Sequence, residues 1–111
     1  MGKLLFQSIE FSRGTSWSVG ARYLLSFTAG NLQFWDVRSN RSVWESRSRG
    51  DRLAMQSDGN LAIYDAAGQC VWASHTAGHP NAFFAAQDDG TLAIYTADQK
   101  RIVWEARAVR A

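Results

Sequence analysis

The ten-residue stretch Gln56–Asp65, with the sequence QSDGNLAIYD, returns as Gln87–Thr96, with the sequence QDDGTLAIYT. Each copy is followed by a turn and then by a Val-Trp pair, and a third, diverged copy lies upstream at Phe27–Asp36, before Val43-Trp44. The unit is close to 30 residues long. That is too short for a β-trefoil or for a propeller blade of about 40 to 45 residues. The repeat therefore predicts three small units that build one compact fold.

The chain has the length of one domain, residues 1–111, and a third of it is too small to bury an apolar face alone. The three copies are placed at approximately 21–49, 50–79 and 80–108. The residues before the first copy carry apolar side chains mostly at odd intervals and read as further short strands that complete the fold. Three units sharing one interior is the expected arrangement.

Residues after each glycine alternate between polar and apolar, as in a half-buried strand. Leu61 and Ile63 are expected to face the core, whereas Asn60, Ala62 and Tyr64 point to the other side. The other copies keep this parity, and no helical periodicity competes with it. The chain is therefore predicted to be all-β, with about four strands in each unit.

Two features predict how the strands are joined and closed. Asp58-Gly59 and Asp89-Gly90 are typical of two-residue hairpin turns, in which both central residues have positive φ. Trp44, Trp72 and Trp104 stand at matched positions of the three copies, and they are expected to meet as core tryptophans near a pseudo-threefold axis.

Composition and charge exclude several classes of protein. No apolar stretch approaches the roughly 20 residues of a membrane helix, so no membrane span is predicted. The N-terminal residues Met1–Gln7 do not extend into the apolar core of a signal peptide. The compartment is left open, since a cytoplasmic location and export by another route are both compatible with this. A net charge of +2 gives weak support for nucleic-acid binding, although five arginines crowd the connection between Arg38 and Arg52.

A single cysteine, Cys70, excludes an internal disulfide and is expected to be a small buried hydrophobe. Together with His75 and His79 it has loosely metal-like spacing, but a fourth ligand is missing. No metal site and no cofactor are predicted. Asp58 and Asp89 belong to different copies, so the sequence gives no support for a paired-carboxylate catalytic site, and the chain is predicted not to be an enzyme.

One outward-facing polar set could recognise a ligand. Gln56, Asp58, Asn60 and Tyr64 supply two amides, a carboxylate and a phenol around one hairpin. Sugar hydroxyls both donate and accept hydrogen bonds, so mixed groups of this kind at short spacing suit a neutral sugar. Hairpin geometry accounts for the Asp-Gly pairs without any ligand, but it does not require Gln two residues before Asp in both copies.

These residues resemble the Q-x-D-x-N-x-V-x-Y signature of the bulb-type lectins, also called monocot mannose-binding or B-type lectins. The resemblance covers nearly the whole chain and includes the Val-Trp strand after each motif. It implies a β-prism II fold, in which three four-stranded antiparallel sheets surround a pseudo-threefold axis with tryptophans inside. It also implies a non-catalytic lectin that binds mannose or α-mannose-containing glycans and glycoproteins.

The resemblance assigns a role to each residue of the main pocket. Asp58 and Asn60 are implied to bind the axial O2 of mannose, Gln56 to bind O3, and Tyr64 to bind O4. Ala62 stands where the family has Val, so its apolar contact with the ring should be weaker.

The pocket of the third copy is expected to bind more weakly than the main pocket, which lies in the second copy. It keeps Gln87, Asp89 and Tyr95, but Thr91 replaces the Asn of the motif and Ala93 again replaces Val. Thr is shorter than Asn and lacks the paired donor and acceptor of an amide.

The upstream copy is predicted to be a degenerate third site. It keeps Asn31, whereas Phe27, Ala29 and Trp35 stand where Gln, Asp and Tyr belong. Its pocket is expected to bind no sugar or to bind something apolar.

The family also suggests a homodimer formed by exchange of the C-terminal strand, here Val103–Arg107.

Two other classes of function stay open at this point. A nucleic-acid-binding module would use the arginines, and a protein-assembly module on a lectin-like scaffold would ignore free mannose.

Overall fold

The fold is known from a computed structural model that describes residues 3–107. Residue 108, the expected end of the third copy, and the first two residues of the chain lie outside this range. Within it the chain forms twelve strands: β1 Lys3–Phe6, β2 Ile9–Ser12, β3 Thr15–Val19, β4 Tyr23–Phe27, β5 Gln33–Asp36, β6 Arg41–Glu45, β7 Arg52–Met55, β8 Leu61–Tyr64, β9 Cys70–Ala73, β10 Phe83–Gln87, β11 Thr91–Tyr95 and β12 Ile102–Arg107.

The strands form three antiparallel sheets of four, in the orders β3-β4-β5-β6, β2-β7-β8-β9 and β1-β10-β11-β12. This confirms the predicted β-prism II architecture. Each sheet combines one N-terminal strand with the three strands of one copy. The N-terminal strands are distributed in reverse, since β1 joins the last copy and β3 joins the first. Within the described residues, no helix is long and apolar enough to cross a membrane.

Alternation along the strands places one apolar row of each sheet in the shared core. Leu61 and Ile63 are fully buried, and Leu92 and Ile94 of the third copy and Leu32 of the first are buried in the same cluster. Because successive strand residues face opposite sides, this row leaves the neighbouring polar residues on the outer face of each sheet.

Two aromatic triads flank this core. Trp44, Trp72 and Trp104 meet as predicted, with ring centroids 5.5 to 5.9 Å apart and each pair edge to face. They lie on the last strand of each sheet. The first strands carry a second triad, formed by the rings of Phe6, Phe11 and Trp17 at 4.8 to 5.1 Å. Since the two triads lie on opposite edge strands, large rings pack against the core at both of its ends.

The hairpin turns differ from the predicted two-residue form. Gly59 has a φ of 95° but Asp58 does not have a positive φ, and the Gly59 amide donates to the Gln56 carbonyl at 3.0 Å. The Gln56 amide in turn donates to the Asn60 carbonyl at 2.9 Å. This is the three-residue loop in which a turn is followed by a left-handed glycine. A Cβ at Gly59 would also lie 2.3 Å from the His79 carbonyl oxygen, so this position requires glycine for two reasons.

The prediction of a buried Cys70 is wrong, because its side chain is exposed. A β-bulge between the second and third pairs of β8 and β9 places Tyr64 opposite Cys70 and leaves Val71 unpaired. The extra residue shifts the parity of β9, so Cys70 lies on the outer face. Ser42 takes the same place in the first copy, where the same bulge occurs.

One ion pair is partly buried near the first hairpin. The Arg22 guanidinium donates to both carboxylate oxygens of Asp36, at 3.1 and 2.8 Å, and the amides of Arg38 and Ser39 also donate to this carboxylate. These hydrogen bonds, those from Arg22 first, hold the pKa of Asp36 well below its usual range. At pH values above the ordinary aspartate pKa, the ion pair makes its full contribution to the free energy of unfolding. This contribution is lost as the pH falls toward the pKa of Asp36 in the folded protein.

The Asp36→Asn variant is expected to be less stable than the parent protein at neutral pH, with a difference that shrinks as the solution is acidified below about pH 4. Urea unfolding at a series of pH values measures it. The difference in stability between an Arg22→Gln variant and the parent protein should shrink over the same pH range. A difference that stays constant down to about pH 2 would contradict the assignment.

Candidate carbohydrate-binding sites

The outer face of the second sheet brings the predicted main-site residues together at the β7–β8 hairpin. Gln56 follows β7, and Tyr64 is the last residue of β8. The Gln56 Nε2 donates to the Tyr64 hydroxyl, so these side chains span the face of the sheet. The third copy repeats the contact between Gln87 Nε2 and the Tyr95 hydroxyl at 3.0 Å. The first and last polar residues of the motif are therefore joined in both copies.

A pair of alanines lies between the joined residues. Ala54 of β7 pairs with Ala62 of β8, and Ala85 pairs with Ala93 in the third copy. Ala62 and Ala93 are 0% exposed, which differs from the expectation that their methyl groups would touch the sugar. The larger side chains around such a small residue leave it no surface of its own. These alanines form the floor on which the Gln–Tyr pair lies.

Asp58 lies at the rim of the hairpin, where its side chain is exposed. One carboxylate oxygen accepts from the Asn60 amide at 2.9 Å, and Asp89 repeats this with the Thr91 amide at 3.0 Å. The Asp58 carbonyl accepts from the amides of Gly78 and His79, at 3.0 and 3.1 Å. The connection to the third copy is thus fixed against the turn that carries the carboxylate.

Asn60 is held from inside the protein through one end of its amide. Its Oδ1 lies 3.3 Å from both the Ser74 hydroxyl and the Thr76 amide. Ser74 also accepts from the Leu61 amide at 3.0 Å, and Thr76 donates to the Gly59 carbonyl at 2.5 Å. This network fixes the side-chain orientation of Asn60, and nothing in the motif itself pointed to Ser74 or Thr76.

Asn31, the residue expected in the degenerate third site, is held at both ends of its amide. The Oδ1 accepts from the Ser46 hydroxyl and from the amides of Arg47 and Ser48, and the Nδ2 donates to Glu45 at 2.9 Å. Its amide is therefore occupied by the protein.

The difference between the two asparagines traces to one position on the last strand of the sheet. Glu45 pairs with Gln33 in the first sheet, and Ala73 pairs with Ala62 at the same place in the second. A methyl group thus replaces the acceptor that Asn31 uses. The Nδ2 of Asn60 has no carboxylate at that place.

The third copy loses the asparagine and its hydroxyl partner together. Thr91 is 6% exposed, and Ala106 occupies the position, two residues after the tryptophan, that Ser74 holds in the second copy. Glu105 pairs with Ala93 at the place of Ala73. The middle of the third pocket is therefore built differently from that of the second.

Arg52 is a neighbour of the main site that sequence reasoning missed. It pairs with Tyr64 across β7 and β8, its guanidinium carbon lies 4.5 Å from the centre of the Tyr64 ring, and its Nη1 contacts the Glu10 carboxylate at 3.3 Å. Phe83 takes its place opposite Tyr95 in the third copy. Cross-strand pairing makes these contacts, and pairing is not read from a motif within one strand.

The first copy has a different register from the one read from the sequence. The Ser26–Gln33 pair of the first copy corresponds to the Ala54–Ala62 pair of the second. Gln56 lies two residues after Ala54. The residue two positions after Ser26 is Thr28, so Thr28, not Phe27, takes the place of Gln56. Phe27 is fully buried in the core. The turn of the first copy is one residue shorter, and a 3-10 turn at Thr28–Gly30 closes it. An ungapped sequence alignment could not detect this difference.

No protein-family model matches the sequence, and no curated protein does. Solved lectin structures do match. A lectin from Allium sativum is 31% identical with a TM-score of 0.71, over 86% of this chain and 93% of its own. The snowdrop (Galanthus nivalis) mannose-specific agglutinin, solved with methyl-α-D-mannoside, is 29% identical with a TM-score of 0.70, over 86% and 89%. A Marasmius oreades lectin is 26% identical with a TM-score of 0.81, over 96% and 91%.

The solved structures that share this three-sheet prism are lectins, and this chain is likewise a carbohydrate-binding lectin and not an enzyme. The chain belongs to the bulb-type mannose-binding lectins.

Proposed function

We propose that the second copy binds a terminal α-mannose residue through Gln56, Asp58, Asn60 and Tyr64. The observation that carries this proposal is the convergence of these four side chains on one hairpin, with the Gln56–Tyr64 contact already made. The mannoside bound in the snowdrop agglutinin gives independent support.

The hydrogen-bonding capacity left at the pocket suits a polyol. Tyr64 accepts from Gln56, so its own hydroxyl proton is left to donate to O4. Gln56 has its amide oxygen to accept from O3. Asn60 keeps an N–H donor and Asp58 a carboxylate acceptor, and O2 needs one of each. An axial O2 distinguishes mannose from glucose, so this pair would set the specificity.

We propose that the third copy binds the same sugar more weakly. Gln87, Asp89 and Tyr95 supply three of the four contacts. Thr91 is only 6% exposed and has no side-chain amide, so the N–H donor that Asn60 would offer to O2 is missing.

A single pocket of this kind should bind weakly. Four exposed hydrogen bonds of about 1 kcal/mol each, net, correspond to roughly millimolar affinity. Useful binding then requires several pockets on one body.

We propose that two copies associate through β12, which pairs with β11 of its own chain in this structure and exposes 46% of Ile102. Analytical ultracentrifugation measures the oligomeric state, and a monomer at all protein concentrations would contradict the proposed association.

A glycan array tests the proposed function most broadly. Glycans with terminal α-mannose should bind, and binding should change little with salt because the sugar is neutral. Binding to nucleic acid would instead fall steeply with salt. An array on which no α-mannose-terminated glycan binds above background would contradict the proposal.

The Ala73→Glu variant is expected to weaken mannoside binding about tenfold, because it introduces beside Asn60 the acceptor that occupies Asn31 in the first copy. Calorimetry with methyl α-mannoside measures the affinity. Ala73→Leu is the control, since it adds bulk without an acceptor and should weaken binding less. Equal losses in the two variants would show that the Asn60 amide is not the group affected.

A further inference from the structure

A groove of about 380 Å³ lies on the outer face of the first sheet, in the copy that lacks the mannose motif. Its size is within the range of small-ligand sites, which begin at about 300 Å³. It is lined by residues of β4, β5 and the turns that follow them: Leu24, Ser26, Thr28, Gln33, Trp35, Val37 and Asn40.

The indole of Trp35, with Leu24 and Val37 beside it, forms the apolar surface of this groove. Trp35 pairs with Leu24, as Tyr64 pairs with Arg52 in the second copy. Trp35 is partly exposed, and Val37 beside it is 51% exposed. The groove therefore presents a flat aromatic ring where the mannose pocket presents a hydroxyl.

Polar groups surround the indole. Gln33 stands where the second copy has the buried Ala62, and it is partly exposed. Within residues 3–107, the side-chain amides of Gln33 and Asn40 make no hydrogen bond to another side chain. The hydroxyls of Ser26 and Thr28 lie 3.0 Å apart at the end of the groove. Two amides and a hydroxyl pair thus remain around one aromatic face.

The groove lacks the groups that read an axial O2. Ala29 stands near the position of Asp58, and Asn31 is occupied by Glu45 and Ser46. The nearby carboxylate of Asp36 is buried against Arg22. A ligand for this groove is therefore selected by contact with an aromatic face and neutral amides, and not by a carboxylate.

We propose that this groove is a second kind of carbohydrate site, which binds a β-glucopyranosyl unit stacked on Trp35. All ring substituents of this sugar are equatorial, so both of its faces are apolar C–H surfaces that can lie on the indole. Gln33 and Asn40 bind the hydroxyls at the ring edge. The axial O2 of mannose interrupts this apolar surface, so the groove disfavours the sugar that the second copy is proposed to bind.

Nuclear magnetic resonance of the tryptophan indoles tests this site by itself. The chain has 5 tryptophans, and Trp35→Phe assigns the Trp35 signal by its loss. Methyl β-glucoside should shift that signal, and methyl α-mannoside at the same concentration should not. Trp35→Ala should weaken glucoside binding about tenfold, as measured by calorimetry, whereas Trp35→Phe keeps an aromatic face and stays within about threefold.

Two further variants separate this site from the others. Gln33→Ala should weaken glucoside binding about fivefold, and its surface position makes it the deciding variant if Trp35→Ala does not fold. Asp58→Ala should leave glucoside binding unchanged, so failure of the mannose site does not affect this test. A Trp35 signal unmoved by the glucoside, or moved more by the mannoside, would overturn the proposal, as would unchanged glucoside affinity in both Trp35→Ala and Gln33→Ala.

Discussion

Replacing Asp58 with alanine is expected to weaken mannoside binding by about 10- to 100-fold, which corresponds to the 1.5 to about 3 kcal/mol of a hydrogen bond to a charged group. From a roughly millimolar starting affinity, this raises the dissociation constant of the main pocket to about 10 to 100 mM. The loss is large because Asp58 is the only charged member of the four proposed contacts. Calorimetric titration with methyl α-mannoside measures it.

Asp89→Ala is the matched control, since Asp89 holds the same place in the hairpin of the third copy. Its carboxylate accepts from the Thr91 amide, as that of Asp58 accepts from the Asn60 amide. It should change total binding little, because the third pocket already lacks an asparagine. Asp58→Asn separates charge from turn geometry, since it keeps an oxygen for the Asn60 amide. Equal losses from Asp58→Ala and Asp89→Ala would mean that Thr91 substitutes for asparagine.

The second large effect is on stability. Trp72→Ala is expected to lower the free energy of unfolding by about 3 kcal/mol, at the lower end for loss of a packed tryptophan because the ring is only partly buried. The ring contacts both Trp44 and Trp104 edge to face, so its removal leaves a cavity and breaks two of the three aromatic contacts. Urea unfolding measures the change.

Trp72→Phe is the conservative variant and should recover more than half of that loss, since a smaller ring still fills part of the space. Trp35→Ala is a control on the outer face and should cost much less, because Trp35 belongs to no triad. A Trp72→Ala variant as stable as Trp35→Ala would show that the tryptophan triad does not hold the three sheets together.

The repeat predicted the fold well because its three copies give the same strand pattern three times. Leu61 and Ile63 were assigned to the core from alternation alone, and the three matched tryptophans were assigned to a common axis. Leu61 and Ile63 are buried in the core, and the three partly buried tryptophan rings contact one another. Period and parity are local properties of the chain, so one sequence is sufficient to read them.

Features that depend on pairing between strands were not predictable in the same way. The bulge that exposes Cys70 and the shorter turn that puts Thr28 in the place of Gln56 both shift register by one residue. A shift of one residue changes the face on which every following side chain lies. The bulge recurs at the same place in all three sheets, so comparing the copies does not reveal it.

The chemistry of the pocket was only partly readable for a similar reason. The polar residues of the motif lie on one hairpin and could be grouped from spacing. Ala73 and Arg52 lie on neighbouring strands and Ser74 directly follows one of them, and all three act on the motif through contacts between strands. Whether an asparagine is available to a ligand depends on such neighbours, as the contrast between Asn60 and Asn31 illustrates.

Calorimetric titration of the parent protein with methyl α-mannoside decides whether the second copy holds a mannose pocket. Saturable binding is expected, with a dissociation constant of roughly 1 mM, dominated by one site per chain and weakened about 10- to 100-fold in Asp58→Ala. An absence of heat at sugar concentrations of about 50 mM, or binding that survives in Asp58→Ala unchanged, would contradict it.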